Sequence, residues 1–206
     1  MFDARLRPLI DPPLARLAGA LARAGVSADA VTLLGFAIGL AGAAAIVAGW
    51  FAAAFAFVAV NRLADGLDGA LARIRGLTDR GGYLDIVLDF AFYGAIPLAF
   101  ALHDPATNAL AAAALLASFY VNGAAFLAFA VMAEKRGLTT KAQGVKSLYY
   151  VAGLAEGAET VAVFLAMCAA PGWFPALAFG FATICAASAL ARIVGGAMQL
   201  SDRSCL

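Results

Sequence analysis

Six apolar stretches, each about long enough to cross a lipid bilayer, take up most of this 206-residue chain. Apolar residues make up 64% of the sequence and charged residues 13%, whereas a soluble domain has about 45–50% and about 25%. The mean hydropathy is +0.90. Helices that are apolar on all sides have lipid rather than water as their solvent, so we expect a single membrane domain.

The pattern predicts an all-α integral membrane protein, with six transmembrane helices preceded by a short juxtamembrane amphipathic helix. In the arm of residues 1–30, Leu14, Leu17 and Leu21 recur at helical spacing, which is typical of a helix on the membrane surface. Packing of this helix against the bundle is an equal alternative. Residues 31–206 hold the predicted spans, at about 31–50, 52–75, 82–103, 106–132, 147–170 and from just after Pro175 to 198.

The placement of basic residues predicts the orientation. None of the fourteen Lys and Arg residues falls in the loops around Trp50, 103–105 and 171–175. By the positive-inside rule, both termini face the cytoplasm, and an even number of spans follows. His103 is then expected to be a solvated residue of an outer loop. The net charge of +1 says nothing about partners, and no nucleic-acid partner is expected. The cysteines match no metal or redox motif and are expected to be packing residues.

Four aspartates interrupt the second and third predicted spans. Asp65 and Asp68 share one face of the second span, and Asp85 and Asp89 lie one turn apart on the third. A charge within a membrane span costs a few kcal/mol, and like charges repel strongly at low dielectric. The short loop between these spans places the two pairs opposite each other, so divalent ions are expected to neutralise them. Carboxylate oxygens suit Mg²⁺ or Mn²⁺ rather than zinc, and two ions are expected.

Small residues surround these aspartates. Gly69, Ala72 and Gly81 leave space for a flat base and for backbone to approach a phosphate, and Arg73 can donate to a phosphate oxygen. Together with the metal, these residues predict a pocket for a metal-bound diphosphate. Asp/Arg pairs that only join two helices are the alternative, but two arginines cannot neutralise four aspartates.

At these positions the sequence resembles the CDP-alcohol phosphotransferase family, whose signature is D-x₂-D-G-x₂-A-R followed after seven or eight residues by G-x₃-D-x₃-D. All eight specified residues are present between Asp65 and Asp89, with seven residues between Arg73 and Gly81. The entry to the first span, from Ala24 to Gly35, is also similar to the family, although Ala28 stands where many members have proline. The resemblance covers most of the chain.

The resemblance implies a metal-dependent enzyme of phospholipid biosynthesis in the cytoplasmic (inner) membrane, with its active site near the cytoplasmic face. It would transfer a phosphatidyl group from a CDP-alcohol, with CDP-diacylglycerol expected, to an alcohol hydroxyl, and release CMP. Asp65, Asp68 and Asp85 would hold the metals, and Asp89 would touch metal and act as the base. Gly69, Ala72 and Gly81 would line the cytidine site, with Arg73 on the diphosphate. The resemblance also implies a homodimer.

The acceptor alcohol is less constrained. Relatives that take a phosphorylated acceptor carry clustered basic residues late in the fourth span, but 120–132 contain none. Lys141 and Lys146 could still contact a phosphate, as in a phosphatidylglycerophosphate or phosphatidylinositol-phosphate synthase, or be membrane anchors. Glu156 and Glu159 could order an acceptor hydroxyl or pair with a cation. Asn122 is a weaker candidate for the acceptor site.

A divalent-metal or proton-coupled transporter is the alternative from another class. It would explain carboxylates within the membrane. It would not explain the intervals of Gly69, Ala72, Arg73 and Gly81, and the sequence shows no internal repeat.

Overall fold

A computed structural model describes residues 3–137 and 157–201, with side chains described from Pro12 onward. Within these ranges 92% of the residues are helical and no strand occurs, which confirms the all-α prediction. The helices, in chain order, are α1 (Asp3–Arg23), α2 (Ala28–Val47), α3 (Phe51–Arg75), α4 (Asp79–His103), α5 (Pro105–Lys135), α6 (Gly157–Ala169) and α7 (Phe174–Ser201), with a 3₁₀ turn at Pro171–Trp173 between the last two.

Polar side chains cap the starts of two helices, and glycines follow the ends of two helices. Ser27 and Thr78 accept hydrogen bonds from the first turns of α2 and α4, at 3.2 and 3.0 Å. Gly49 and Gly76 adopt positive φ angles of 78° and 101° just after α2 and α3, a backbone conformation that favours glycine. The turn at Gly49 sends α3 back alongside α2, whereas α4, after the turn at Gly76, packs against α2 and α5.

Four of the described helical segments are long and apolar enough to cross a membrane, namely Ala28–Val47, Asp79–His103, Pro105–Lys135 and Pro171–Ser201. α3 has the length of a span, but its second half carries five charged residues from Arg62 to Arg75, including two of the aspartates. The predicted fifth span begins at residue 147, and only its later part, α6, lies within the described residues. The structure thus supports a multi-pass membrane protein, and the count of six spans stays a prediction.

A continuous apolar core joins α2 through α7. Phe100 of α4 stacks on Phe174 of α7 with ring centroids 4.3 Å apart, and Phe92 meets Phe164 of α6 edge-on at 6.0 Å. All four rings are essentially fully buried. The core residues Phe92 and Phe100 anchor one face of α4, which fixes the orientation of the face that carries Asp85 and Asp89.

α1 packs against the bundle at the end where the basic residues lie. Ala18 is fully buried together with Leu71 of α3, and the Arg75 guanidinium donates to the Ala22 carbonyl at 2.8 Å. Across the same end, Arg80 pairs with Asp29 at 3.4 Å. Of the two arrangements that the sequence allows, the described part of α1 shows contact with α3. We call this the cationic end of the bundle.

His103 lies at the opposite end and is exposed, as predicted, but it also makes specific contacts. Its Nδ1 is 3.3 Å from the Val47 carbonyl, and its ring lies edge-on to Phe51 with centroids 5.0 Å apart. A carbonyl only accepts hydrogen bonds, so Nδ1 carries the proton in this contact. His103 therefore joins the ends of α2 and α4.

Replacement of Gly39 by alanine is expected to destabilise the bundle. An added Cβ would lie 2.7 Å from a ring carbon of the buried Phe92 and 3.0 Å from the Asn61 amide nitrogen. Overpacking of this kind costs about 1–3 kcal/mol, and it would push α2 away from the aspartates. Thermal unfolding in detergent should show a lower midpoint for Gly39→Ala. The matched Gly180→Ala variant, whose Cβ meets nothing within 4 Å, should unfold at or above the wild-type temperature. Equal midpoints for the two variants would contradict the close packing.

Candidate active site

Three of the four predicted aspartates converge between α3 and α4. One carboxylate oxygen from each of Asp65, Asp68 and Asp85 lies within 4.8 Å of the other two. Asp68 is only 6% exposed, so its carboxylate is largely removed from water. Asp65 is half-buried and Asp85 is exposed. Two further carboxylates so close to the buried Asp68 make its negative charge costly unless a cation lies among them.

Local helix geometry explains why these residues meet. Asp65 and Asp68 are three residues apart on α3 and thus lie on the same face of that helix. The short turn after Arg75 was expected to bring α4 back beside α3, but α4 packs on α2 and α5 instead. α2 contacts both α3 and α4, and Asp85 still comes close to the two aspartates of α3. The sequence predicts that all four carboxylates face one another; the structure brings three of them together, and their role as metal ligands stays a prediction.

Asp89 completes the wall of the same pocket without joining the three converging oxygens. The pocket, which we call the aspartate pocket, has a cavity volume of about 20 Å³. Its lining residues come from α2, α3 and α4 and are Thr32, Gly35, Phe36, Asn61, Asp65, Asp68, Asp85, Leu88, Asp89 and Phe92. Asp89 lies one helical turn beyond Asp85, farther from the cationic end.

Arg62 forms an ion pair with Asp65, three residues along α3. This pair offsets one of the four negative charges that line the pocket. Carboxylate oxygens are the hard ligands that Mg²⁺ and Mn²⁺ prefer. One oxygen from each of Asp65, Asp68 and Asp85 is close enough to the other two to bind the same ion. The donor set of this chain therefore fits a divalent cation of that kind.

Close contact between α2 and α3 supports the pocket from behind. The buried Asn61 amide donates to the Gly35 carbonyl at 2.9 Å. A Cβ on Gly35 would come within 2.9 Å of the Ala64 Cβ, so only glycine permits this approach. These contacts bring Thr32 of α2 to the pocket wall. Sequence reasoning assigned no role to Thr32 or Asn61, since only the packed structure brings α2 beside the aspartates.

The four predicted donor-binding residues lie around the aspartates rather than in the lining of this pocket. Arg73 is exposed near the cationic end, with a guanidinium nitrogen 3.6 Å from where a Cβ of Gly69 would be. Ala72 is half-buried on α3. A Cβ on Gly81 would lie 2.9 Å from the Thr78 hydroxyl and 3.3 Å from Asp29. Gly81 thus has a structural reason to be glycine, besides the predicted nucleotide contact.

Of the five predicted acceptor residues, the structure describes two, Asn122 and Glu159. Lys141, Lys146 and Glu156 lie outside the described residues. Glu159 is half-buried in the first turn of α6. Asn122 lines a second pocket, of about 540 Å³, between α4, α5, α6 and α7. Arg192 of α7 also lines that pocket. Sequence reasoning missed it because it lies far from the aspartates along the chain and matches no motif.

A family model described as CDP-alcohol phosphatidyltransferase matches residues 25–193. The chain therefore belongs to that family of transferases, which confirms the family predicted from the signature. It is 44% identical over 202 residues to "Inner membrane protein YnjF" of Escherichia coli K12, with 98% of each chain covered. It is also 35% identical over 86 residues to the archaetidylinositol phosphate synthase of Pyrococcus horikoshii, covering 41% of this chain and 46% of that one.

A solved structure shares the fold. The crystal structure of Mycobacterium tuberculosis phosphatidylinositol phosphate synthase with CDP-DAG bound matches with a TM-score of 0.58 and 24% identity. The match covers 94% of this chain and 98% of that chain. The chain therefore has the same fold as that synthase.

Proposed function

We propose that this protein transfers a phosphatidyl group from CDP-diacylglycerol to the hydroxyl of an alcohol acceptor and releases CMP. The observation that carries the proposal is the convergence of Asp65, Asp68 and Asp85 within 4.8 Å inside an apolar bundle of this family. The donor is inferred from the mycobacterial synthase of the same fold, which is described with CDP-DAG bound.

Asp65, Asp68 and Asp85 are proposed to hold Mg²⁺ or Mn²⁺, with Asp89 as a further ligand and two ions in all. When bound, the metal would supply positive charge that stabilises the oxygens of the transferred phosphoryl group. Arg62, already paired with Asp65, adds fixed positive charge beside this cluster.

Asp89 is proposed to accept the proton of the acceptor hydroxyl. It lines the aspartate pocket but lies outside the converging trio, so its carboxylate can face an acceptor while the trio holds the cation. Arg73, at the rim, would donate to the donor diphosphate. Gly69, Ala72 and Gly81 would lie against the cytidine.

A phosphorylated acceptor is the second candidate, and one observation favours it. Arg192 places a guanidinium in the wall of the second pocket, a cation absent from the sequence argument against such acceptors. Lys141 and Lys146 would then add phosphate contacts, and the protein would act like a phosphatidylglycerophosphate or phosphatidylinositol-phosphate synthase. Asn122, Glu156 and Glu159 would contact acceptor hydroxyls in either case.

The membrane arrangement is proposed to comprise six spans, with α3 and the segment ending in α6 added to the four apolar helices. Both termini and the cationic end would face the cytoplasm, because Arg75, Arg80 and Arg136 lie there. Residues 1–30 would form the juxtamembrane arm and 31–206 the catalytic domain of a homodimer in the inner membrane. Leu77 lies between α3 and α4 and is 81% exposed. The thiol of a Leu77→Cys variant should therefore react with an impermeant maleimide only from the cytoplasmic side.

Release of CMP by the purified protein tests the function directly. The protein in nanodiscs is given CDP-diacylglycerol, Mg²⁺ or Mn²⁺ and a panel of alcohols, and products are identified by mass spectrometry. We expect CMP and a new phospholipid with at least one acceptor, and loss of both when EDTA removes the metal. A protein that releases no CMP with any acceptor but carries metal-dependent ion flux in vesicles would be a transporter instead.

A further inference from the structure

The second pocket is large and aromatic, and it opens to the outside of the bundle at Tyr120 and Phe126. Five of its thirteen lining residues are aromatic, and we call it the aromatic chamber. Its cavity volume of about 540 Å³ compares with about 20 Å³ for the aspartate pocket, and it falls within the roughly 300–1,000 Å³ of most small-molecule sites. A small polyol would leave much of such a chamber empty.

The depth of the chamber places it in the hydrocarbon layer. Phe90 and Gly94, which line it, lie eleven and fifteen residues after the start of α4 at Asp79, or about 16–23 Å along the helix axis. The hydrocarbon core of a bilayer is about 30 Å thick, so this part of α4 is near its middle. A ligand with an apolar body can enter there from the lipid.

The chamber lies next to the proposed catalytic group. Tyr93 lines the chamber, and Asp89, one helical turn earlier on α4, lines the aspartate pocket. Phe92, also in the aspartate pocket, lies beside Tyr93 with ring centroids 5.9 Å apart. A hydroxyl at the Tyr93 end of the chamber would thus be near the Asp89 carboxylate, while the rest of its molecule stayed among the aromatic rings.

Polar atoms in the chamber are few and suit a hydroxylated head group. The Asn122 Oδ1 atom is buried and has no hydrogen-bond partner among the residues that the structure describes, so it can accept from a ligand hydroxyl. The Arg192 guanidinium lies 5.2 Å from the Phe126 ring centroid, in a cation–π contact at the chamber wall. This combination is typical of a site for an amphipathic molecule.

We infer that the aromatic chamber binds the acceptor, and that the acceptor is an amphipathic alcohol carrying a hydrocarbon chain. The inference rests on the proposed function and names its acceptor class. In the reaction a bond forms between the acceptor oxygen and phosphorus, and the phosphorus–oxygen bond to CMP breaks. CMP leaves with the electron pair, and the acceptor proton passes to Asp89.

Two glycine variants make the inference testable. A side chain at Gly94 would project into the chamber, since an added Cβ meets nothing within 4 Å. Gly180 on α7 is an exposed helical glycine outside the chamber with equally open surroundings. Gly94→Leu and Gly180→Leu therefore add the same side chain to two membrane helices, and only the first reduces the chamber.

The metal-loaded protein is assayed with CDP-diacylglycerol and with glycerol or its 1-O-butyl and 1-O-octyl ethers as acceptors. Acceptors with longer chains also concentrate in the lipid phase, which affects the wild type and the variants alike. The measured quantity is therefore the kcat/KM of the wild type divided by that of Gly94→Leu, for each acceptor. We expect this ratio to rise at least about tenfold from glycerol to octylglycerol, because each buried CH₂ contributes to binding. The ratio for Gly180→Leu should stay flat.

A flat ratio for Gly94→Leu, with CMP still released, would overturn the inference and leave the proposed function intact. No CMP with any acceptor would overturn both. A change in the KM of CDP-diacylglycerol alone would assign the chamber to a donor chain instead. As a binding measurement independent of turnover, a diazirine-bearing octylglycerol should label the segment 119–126, with competition by octylglycerol and less labelling of Gly94→Leu. Labelling that octylglycerol does not compete would indicate ordinary lipid contact and contradict the assignment.

Discussion

Replacement of Asp68 by asparagine is expected to lower CMP release by about a thousandfold or more, because loss of a bound metal removes several kcal/mol of transition-state stabilisation. Asp68 is the most buried of the three converging aspartates and lies on α3 between Asp65 and the pocket wall of α2. Asparagine has nearly the same shape, so the variant changes the charge with little change in packing.

Thermal unfolding separates loss of the metal from loss of the fold. In EDTA, Asp68→Asn should unfold at or above the wild-type temperature, because one of several neighbouring negative charges is gone. Added Mn²⁺ should stabilise the wild type, by about 2.7 kcal/mol at a hundred times its dissociation constant, and should have little effect on the variant. Asp79→Asn, at an exposed position in the first turn of α4, serves as the control and should behave like the wild type. A metal-dependent shift of equal size in Asp68→Asn would exclude Asp68 as a ligand.

The sequence predicted the aspartates well because their geometry is local. The spacing of Asp65 and Asp68 within one helix, and the short turn before α4, already place these residues near Asp85. The final distance also depends on α2, which packs against both α3 and α4. The same reasoning predicted the bounds of α3 within one residue, since Gly49 and Gly76 mark the turns at both of its ends.

Contacts between distant parts of the chain could not be predicted from the sequence alone. Asn61 was visible as a polar residue within a span, but its hydrogen bond to the Gly35 carbonyl depends on how α2 and α3 pack. Arg192 lies far along the chain, and its place over Phe126 follows only from the packing of α5 against α7. The aromatic chamber combines residues from four helices, and no motif within any one of them marks it.

Gly81 has two separate reasons to be glycine. Gly81 belongs to the family signature, yet the Thr78 hydroxyl and Asp29 already occupy the space that a side chain would need. A signature residue can therefore reflect the folding of the site as well as contact with a ligand. For Gly81, substitution effects on activity would combine both causes. The aspartates allow a cleaner separation, since asparagine keeps their shape.

Replacement of Asp89 by asparagine is expected to lower turnover by about 10²–10⁴-fold, while binding of CDP-diacylglycerol and of the Mn²⁺ ion held by the trio stays within a few-fold of wild type. The position of Asp89 explains why turnover is expected to fall more than binding. Asp89 lines the aspartate pocket, but the three oxygens that converge belong to Asp65, Asp68 and Asp85. Asparagine cannot accept the acceptor proton, whereas the converging trio remains to hold the cation. Single-turnover CMP release, with Mn²⁺ binding measured by electron paramagnetic resonance, would compare the two properties in one preparation.

Asp85→Asn is the matched control, since Asp85 lies one turn away on the same helix and belongs to the trio. This variant should lose Mn²⁺ binding and turnover together, whereas Asp89→Asn should lose turnover alone. If both variants lose Mn²⁺ equally, Asp89 acts first as a ligand, and the proton must be accepted elsewhere. If Asp89→Asn turns over like the wild type, the carboxylate has neither role. The contrast between two aspartates four residues apart thus decides whether the site divides metal binding and proton transfer between neighbouring turns of α4.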